Sequence, residues 1–217
     1  MKSIVRRDTG EDWRQYVTRL MREEGVIEED DEPTDEDIRR YDRQRKNKRV
    51  SNDEWVSETD GDSRIAQMKD GRTHLAYKAE HVVDLETDLV LAAEILAADR
   101  GDTQTLVDSV MQAQLNLQEA GCEQQIEEVV GDKGYHAAGT LELADSLALR
   151  TYIPEPHRIH QSRWTDKPEG YQEAVYANRR RVRRAKSKAL QKKRSEFCER
   201  SFAHICDSGG MTSKGTN

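Results

Sequence analysis

The stretch IEEVVGDKGY, residues 126–135, decides the fold predicted for this chain. Its apolar residues predict a short buried strand over 126–131. Asp132 follows that strand directly, and Gly134 permits a sharp turn just after it. The carboxyl ends of strands in an open α/β sheet border the crevice where such sheets bind ligands. Asp132 is therefore the first candidate for chemistry, although a turn-forming Asp is a common residue at this position.

The segments on either side predict an alternation of strands and helices. Apolar and polar residues alternate over 74–84 and 89–95, which predicts a hairpin with its turn over 84–88. A helix follows, which Thr103 caps and Gly121 ends. After the central strand come a helix over 140–148, a short strand over 150–153 and basic helical segments over 171–205. This order predicts the α/β fold class.

The first 72 residues carry a weaker pattern. Apolar residues recur at helical spacing over 11–25, and a second helical stretch over 35–48 has acids at its start and bases at its end. Neither helix has enough apolar surface for a core of its own, so residues 1–50 are predicted to form a helical insertion segment. Residues 51–72 are polar and rich in turn formers, which predicts a linker.

The composition bounds the class of protein. Hydrophobic residues make up 35% of the 217, charged residues another 35%, and the net charge is −7, which argues against a uniformly basic coat for nucleic acid. Three cysteines without paired spacing argue against a disulfide framework or a zinc cage. The longest apolar run, residues 89–98, is interrupted by Glu94 and is shorter than the roughly 20 residues that cross a bilayer. We expect a cytoplasmic protein with no membrane partner.

The charge is distributed unevenly along the chain. Residues 28–37 are acid-rich, whereas residues 179–194 contain no acid. A charge run is usually a solvated helix face, but one this dense and unmixed favours contact with the phosphates of double-stranded DNA, without sequence preference and with strong salt dependence. The candidate DNA-binding residues are Arg179, Arg180, Arg181, Arg183, Arg184, Lys186, Lys188, Lys192, Lys193 and Arg194.

A second candidate acid lies on the last helix. Glu199 flanks an apolar stripe formed by Cys198, Phe202 and Ile205, from which its carboxylate can reach the end of a neighbouring strand. Glu196, three residues earlier, is nearly as well placed. Spacing does not choose between the two glutamates.

Several motifs, in order along nearly the whole chain, resemble the DDE transposases of bacterial insertion sequences. They are DGRTHLAYKAEHVVD (70–84), ADRGDT (98–103), VGDKGYH (130–136), YIPEP (152–156), VYANRRR (175–181) and ERSFAH (199–204). Any one of these motifs is a weak signal, whereas the ordered set is a strong one.

This resemblance implies an RNase H-like fold in which three carboxylates, Asp, Asp and Glu, hold two divalent ions, Mg²⁺ or Mn²⁺. Hard cations of this kind prefer carboxylate oxygens. The second Asp of the family corresponds to Asp132, and its Glu corresponds to Glu199 rather than Glu196. The implied activity is cleavage of the transposon ends and transfer of the freed 3′-hydroxyl to target DNA.

The sequence departs from the family at both ends. The family's first Asp lies on a strand before the segment that corresponds to residues 1–10, so we expect the core over 73–211 to be incomplete, without its first strand and first catalytic Asp. Asp60, Asp62 and Asp84 do not follow a convincing first strand and are poor substitutes. Residues 212–217 are expected to form an irregular tail where family members continue with a basic stretch.

Three functional hypotheses follow. The first is a transposase fragment, associated with the nucleoid, that is inactive alone because one metal ligand is absent. The second is a non-catalytic DNA-binding or regulatory remnant, which competes for DNA or forms a dimer. The third is a product that does not fold stably, because loss of a central strand exposes sheet edges.

Overall fold

The computed structural model describes residues 4–46, 48, 50–67, 71–157 and 163–208, with residues 204–208 described by their backbone alone. The chain divides into two compact units. Unit 1 comprises Met1–Lys78 and Leu96–Asp99, and unit 2 comprises Ala79–Ile95 and Arg100–Asn217. The predicted tail over 212–217 lies outside the described residues.

Unit 1 contains the two predicted helices, α1 (Trp13–Glu23) and α2 (Asp35–Gln44). Each begins with a reciprocal cap: the Asp12 side chain accepts from the backbone N–H of Gln15, and the Thr34 side chain accepts from that of Asp37. Helix α2 ends at Gln44, four residues before the predicted end at residue 48. The helices pack on each other through Val17, Met21 and Ile38.

Short strands complete unit 1. Strand β1 (Ile4–Arg6) pairs antiparallel with β2 (Trp55–Ser57), and β3 (Arg64–Gln67) follows. Ile4, Trp55 and Ile65 form a second buried cluster. Residues 51–72, expected to form a linker, therefore contribute two strands. These strands are three and four residues long, too short for an alternating pattern to reveal them.

The predicted hairpin is present as β4 (Thr73–Val83) and β5 (Val90–Ala97). Strand β3 pairs antiparallel with the first part of β4, from Arg64 opposite Ala76 to Gln67 opposite Thr73, which gives the strand order β3-β4-β5. The division between the units passes through this hairpin: β4 from Ala79 and β5 up to Ile95 belong to unit 2.

Unit 2 continues in the predicted order with α3 (Asp102–Glu119), β6 (Glu128–Val130), α4 (Ala138–Ser146) and β7 (Arg150–Tyr152). Strands β6 and β7 pair in parallel. The prediction that Thr103 caps α3 is wrong. Gly101 is the N-cap, and its N–H donates to the Gln104 side chain at 3.3 Å. A side chain inside the helix therefore satisfies the backbone N–H of the N-cap.

One apolar core holds unit 2 together. Leu141 on α4 and Ile153 just after β7 are almost completely buried at its centre. The other buried members are Leu106, Val110, Val129, Ala144, Leu149, Ala174 and Val175. The core thus joins α3, both parallel strands, α4 and the first of the C-terminal helices.

The predicted basic helical segment is two helices, α5 (Tyr171–Val182) and α6 (Ala185–Ser208). Helix α5 is joined to the end of β7 by Asn178, whose Oδ1 accepts from the N–H of Ile153 at 3.1 Å and whose Nδ2 donates to its carbonyl at 2.8 Å. Arg181 donates from Nε to the carbonyl of Thr151 at 2.9 Å. One face of α5 therefore hydrogen-bonds the backbone of β7 and the residue after it.

Replacement of Asn178 by Ala is expected to lower the free energy of unfolding by about 2–4 kcal/mol, because the buried N–H and C=O of Ile153 both lose their partner. Asn178 and Ile153 are 1% and 0% exposed, so water does not replace the lost amide without rearrangement. Urea denaturation measures the change. Gln172→Ala, at an exposed position of the same helix, is the control and should change little; an equal loss there would contradict the role of Asn178.

Candidate active site and basic surface

Asp132 lies two residues beyond β6, at the carboxyl end of the parallel pair, and is exposed. Its Oδ1 accepts from the N–H of Gly134 at 2.6 Å, and the residue caps a single 3-10 turn, Lys133–Tyr135. Asp132 therefore has the turn-forming role that is common at its position. The carboxylate nonetheless stays at the surface of the strand end, where the sequence predicted it.

A second acid lies beside this turn. Asp102, the first residue of α3, approaches Gly134 so closely that a Cβ at position 134 would collide with its carboxylate. The same Cβ would lie 3.4 Å from Oδ1 of Asp132. The absence of a side chain at Gly134 thus lets two acids approach one turn. Asp102 was not predicted as a site residue; the ADRGDT motif that contains it was the available signal.

Tyr135 ends the turn and points into the core, where it packs against the buried cluster of unit 2. Its hydroxyl donates to Oε1 of Glu80 on β4 at 2.9 Å. Burial, followed by the negative charges of Glu80, Asp102 and Asp132, raises the pKa of Tyr135 far above its usual range. Glu80, 6% exposed, is a second acid that sequence reasoning missed, since alternation alone does not show what a strand residue contacts.

Helix α6 contacts the same strand ends through Gln191. Its Nε2 donates to the carbonyl of Gly131 at 3.0 Å and to that of Tyr152 at 2.7 Å, so one amide lies across the ends of both β6 and β7. Gln191 accepts in turn from Nε of Arg194 at 3.1 Å. The start of α6 is therefore fixed next to Asp132.

Glu199 is exposed and lies eight residues after Gln191 on α6, about 12 Å further along the helix axis. This part of α6 runs beside the hairpin turn. Arg200 forms an ion pair with Asp88, whose φ of +64° lies in the left-handed region, and the Phe202 ring packs on His81 with centroids 3.9 Å apart. The residue of α6 that touches the end of β6 is thus Gln191 rather than Glu199.

The described residues do not assemble a complete site for divalent ions. Asp132 and Glu199 carry the oxygen ligands that hard cations prefer. In the part of the chain that the structure describes, however, no three or more His, Cys, Asp or Glu side chains are grouped so as to hold a metal. Of the weak substitutes for a first Asp, Asp60 accepts from the Tyr77 hydroxyl at 2.8 Å, and Asp84 accepts from the N–H of Thr87 at 3.0 Å within the hairpin turn.

The ten candidate DNA-binding residues fall into two groups of five. The first group bonds to the protein itself: Arg179 to Glu155, Arg181 to Thr151, Lys186 to Glu128, Lys193 to the carbonyl of Leu85, and Arg194 to Gln191. The second group, called the free cations below, is exposed and has no side-chain hydrogen bond or ion pair within the described residues. The free cations are Arg180, Arg183, Arg184, Lys188 and Lys192.

The residues of the first group have structural roles. The Lys186 ammonium lies 2.7 Å from Oε1 of Glu128, and this contact, with that of the Tyr152 hydroxyl, outweighs burial and lowers the pKa of Glu128. Burial lowers the pKa of Arg181, whose guanidinium bonds to Thr151. The sequence therefore suggests more cations available to a polyanion than the structure leaves exposed and unpaired among its described residues.

The family relationship is clear. A family model described as "Transposase DDE domain" matches residues 38–211, most of the chain. The chain belongs to the DDE transposase family, which confirms the resemblance inferred from the ordered motifs. Membership makes it a transposase of mixed α/β fold whose substrate is DNA. No curated protein and no solved structure matches it.

No helix in the described ranges is both long enough and apolar enough to span a lipid bilayer.

The ion pair of Glu128 makes a pH-dependent contribution to stability. Because the folded protein holds the pKa of Glu128 below its usual value of 4.5, the contribution is present above that pH and is lost as the pH falls through the lowered pKa. Glu128→Gln should therefore lower the melting temperature at neutral pH and have little effect in acid. Thermal melts from neutral pH down to about pH 3 measure this. The control is Glu127→Gln, whose side chain is 69% exposed and whose ion pair with Arg150 therefore contributes little; a Glu128 effect that persists unchanged in acid would contradict the ion pair.

Proposed function

We propose that this chain is an incomplete RNase H-like transposase core, derived from an enzyme that cuts transposon ends and joins them to target DNA. The observation that carries the proposal is Asp132, exposed at the carboxyl end of the first of two parallel strands in a DDE transposase chain. Asp132 and Glu199 are proposed as the second and third acids of the family site, with two Mg²⁺ or Mn²⁺ ions as the cofactors.

The sheet edges of unit 2 support an RNase H-like arrangement. Strand β6 pairs with β7 alone, and β4 beyond Ala76 has β5 as its one strand partner among the described residues. A strand between β4 and β6 would join the two sheets into one. We propose that this is the position of the central first strand, with the first catalytic Asp, that the family resemblance implies.

The acids of the described residues predict that they do not cleave DNA without a further carboxylate. Asp132 and Glu199 lie on different elements, and no three possible metal ligands are grouped in the described ranges. Fewer carboxylates hold divalent ions more weakly, and those that remain repel one another. We therefore propose that the chain retains DNA binding without strand cleavage.

The proposed inactivity is tested by incubating the purified chain with supercoiled plasmid and Mg²⁺ or Mn²⁺. We expect no nicking above the background of a preparation that carries Asp132→Ala. Metal-dependent nicking that Asp132→Ala abolishes would show that the site is complete without the first Asp of the family.

The free cations are the proposed DNA-binding surface, because each is exposed and has no side-chain partner among the residues that the structure describes. Conversion of Arg180, Arg183, Arg184, Lys188 and Lys192 to Gln should weaken binding to duplex DNA. The slope of log affinity against log salt should fall by about 0.9 for each phosphate that the variant no longer neutralises. Fluorescence anisotropy at several salt concentrations measures both quantities.

A matched control separates local binding from net charge. Arg39, Arg43, Lys46, Arg163 and Lys167 are also exposed and form no ion pair within the described residues, and their conversion to Gln removes the same charge. We expect this second variant to retain most of the affinity. Equal reductions in affinity in the two variants would refute a localised DNA-binding surface.

A regulatory remnant is the second candidate function, favoured by the survival of five free cations beside an incomplete acid set. Such a chain would inhibit an intact transposase by competing for DNA or by forming a homodimer-like pair with it. Inhibition that disappears when the free cations are removed indicates competition for DNA. Inhibition that survives their removal indicates pairing of the chains.

A further inference from the structure

The turn that presents Asp132 is tied to a strand of another sheet. Asp132 follows β6, which pairs with β7, whereas Glu80 lies on β4, which pairs with β3 and β5. The hydroxyl of Tyr135 donates to Oε1 of Glu80 at 2.9 Å. Both partners belong to unit 2, so this bond connects its two sheets directly.

The turn is too short for its two ends to move independently. The N–H of Gly134 donates to Oδ1 of Asp132 at 2.6 Å, and the N–H of Tyr135 donates to the carbonyl of Asp132 at 3.2 Å. These bonds close a single turn with the carboxylate at one end and the phenol at the other. A displacement of the Tyr135 ring therefore displaces the Asp132 carboxylate.

The bond between Tyr135 and Glu80 has the properties of a strong constraint. Glu80 is 6% exposed, and a hydrogen bond is stronger in the protein interior than in water. Since burial and neighbouring carboxylates raise the pKa of Tyr135, its hydroxyl keeps the proton that it donates at neutral pH.

We propose that Tyr135 and Glu80 are positioning residues for Asp132: their hydrogen bond fixes the Asp132 turn beside β4, without contact to DNA. The assignment rests on the proposed function of Asp132. The assignment adds two residues that act by holding the Asp132 turn and do not contact the DNA phosphate.

The chain contains a matched pair of the same chemistry. The hydroxyl of Tyr152 donates to Oε1 of Glu128 at 3.0 Å, and Tyr152 is 5% exposed. This bond lies within one sheet: Tyr152 is opposite Val130 at the end of β7, and its hydroxyl reaches back to Glu128 at the start of β6. Tyr152→Phe therefore controls for loss of a buried phenol without loss of the connection between sheets.

The experiment follows the Gly134 amide by ¹H–¹⁵N NMR, because this N–H donates to Asp132 and reports the position of its carboxylate. Asp132→Asn identifies the resonance by the large shift that it causes. In Tyr135→Phe we expect the Gly134 resonance to move by more than its linewidth. In Glu80→Gln, where the amide oxygen still accepts from Tyr135, the resonance should stay close to its original position.

Thermal melts of the same variants separate positioning from stability. Tyr135→Phe and Tyr152→Phe should both lower the melting temperature, but Tyr152→Phe should leave the Gly134 resonance in place. An unmoved Gly134 resonance in Tyr135→Phe, or an equal movement in Tyr152→Phe, would overturn the proposal.

A titration with Mg²⁺ distinguishes this inference from the proposed function. A Mg²⁺-dependent shift of Gly134 in the unaltered chain that weakens in Tyr135→Phe supports both. If Mg²⁺ has no effect and Tyr135→Phe still moves the resonance, positioning of the turn stands and the metal role of Asp132 in this chain fails.

Discussion

Backbone groups at the carboxyl ends of β6 and β7 need partners, and side chains of the C-terminal helices supply them. Both strands are three residues long, so their pairing ends before the core does. Asn178 satisfies the N–H and carbonyl of Ile153, and Gln191 satisfies the carbonyls of Gly131 and Tyr152. Because buried peptide groups are rarely left unpaired, these two amides fix α5 and α6 against the strand ends. The placement of the basic surface and of Glu199 follows from them.

The same constraint explains why a dense basic run is only partly available to DNA. Arg181 is three residues after Asn178 and therefore lies on the face of α5 that meets β7, where it bonds to Thr151. Lys186 meets Glu128 on β6 in a similar way. Half of the run thus holds the helices in place, and the other half faces solvent. Helices α5 and α6 thus combine attachment to the core with exposed cations.

The sequence predicted the elements whose periodicity extends over many residues. The hairpin, α3 and the order β6, α4, β7 are confirmed, and Asp132 lies at a strand end as predicted; its catalytic role and that of Glu199 stay predictions. The strands of unit 1 were missed because three or four residues do not establish a period. Glu80 and Asp102 were missed because they approach the Asp132 turn from distant parts of the chain. The division of the basic run into residues that bond to the protein and free cations likewise depends on tertiary contacts.

Two parts of α6 are attached to unit 2 by different sets of interactions. Gln191 uses neutral amide hydrogen bonds, which dissolved ions screen little. Further along the helix, Arg200 relies on an ion pair with Asp88 in which both side chains are more than one-third exposed, and mobile ions weaken such pairs. The start of the helix thus keeps its amide hydrogen bonds as ionic strength rises, whereas near Glu199 the Phe202 contact with His81 carries more of the attachment.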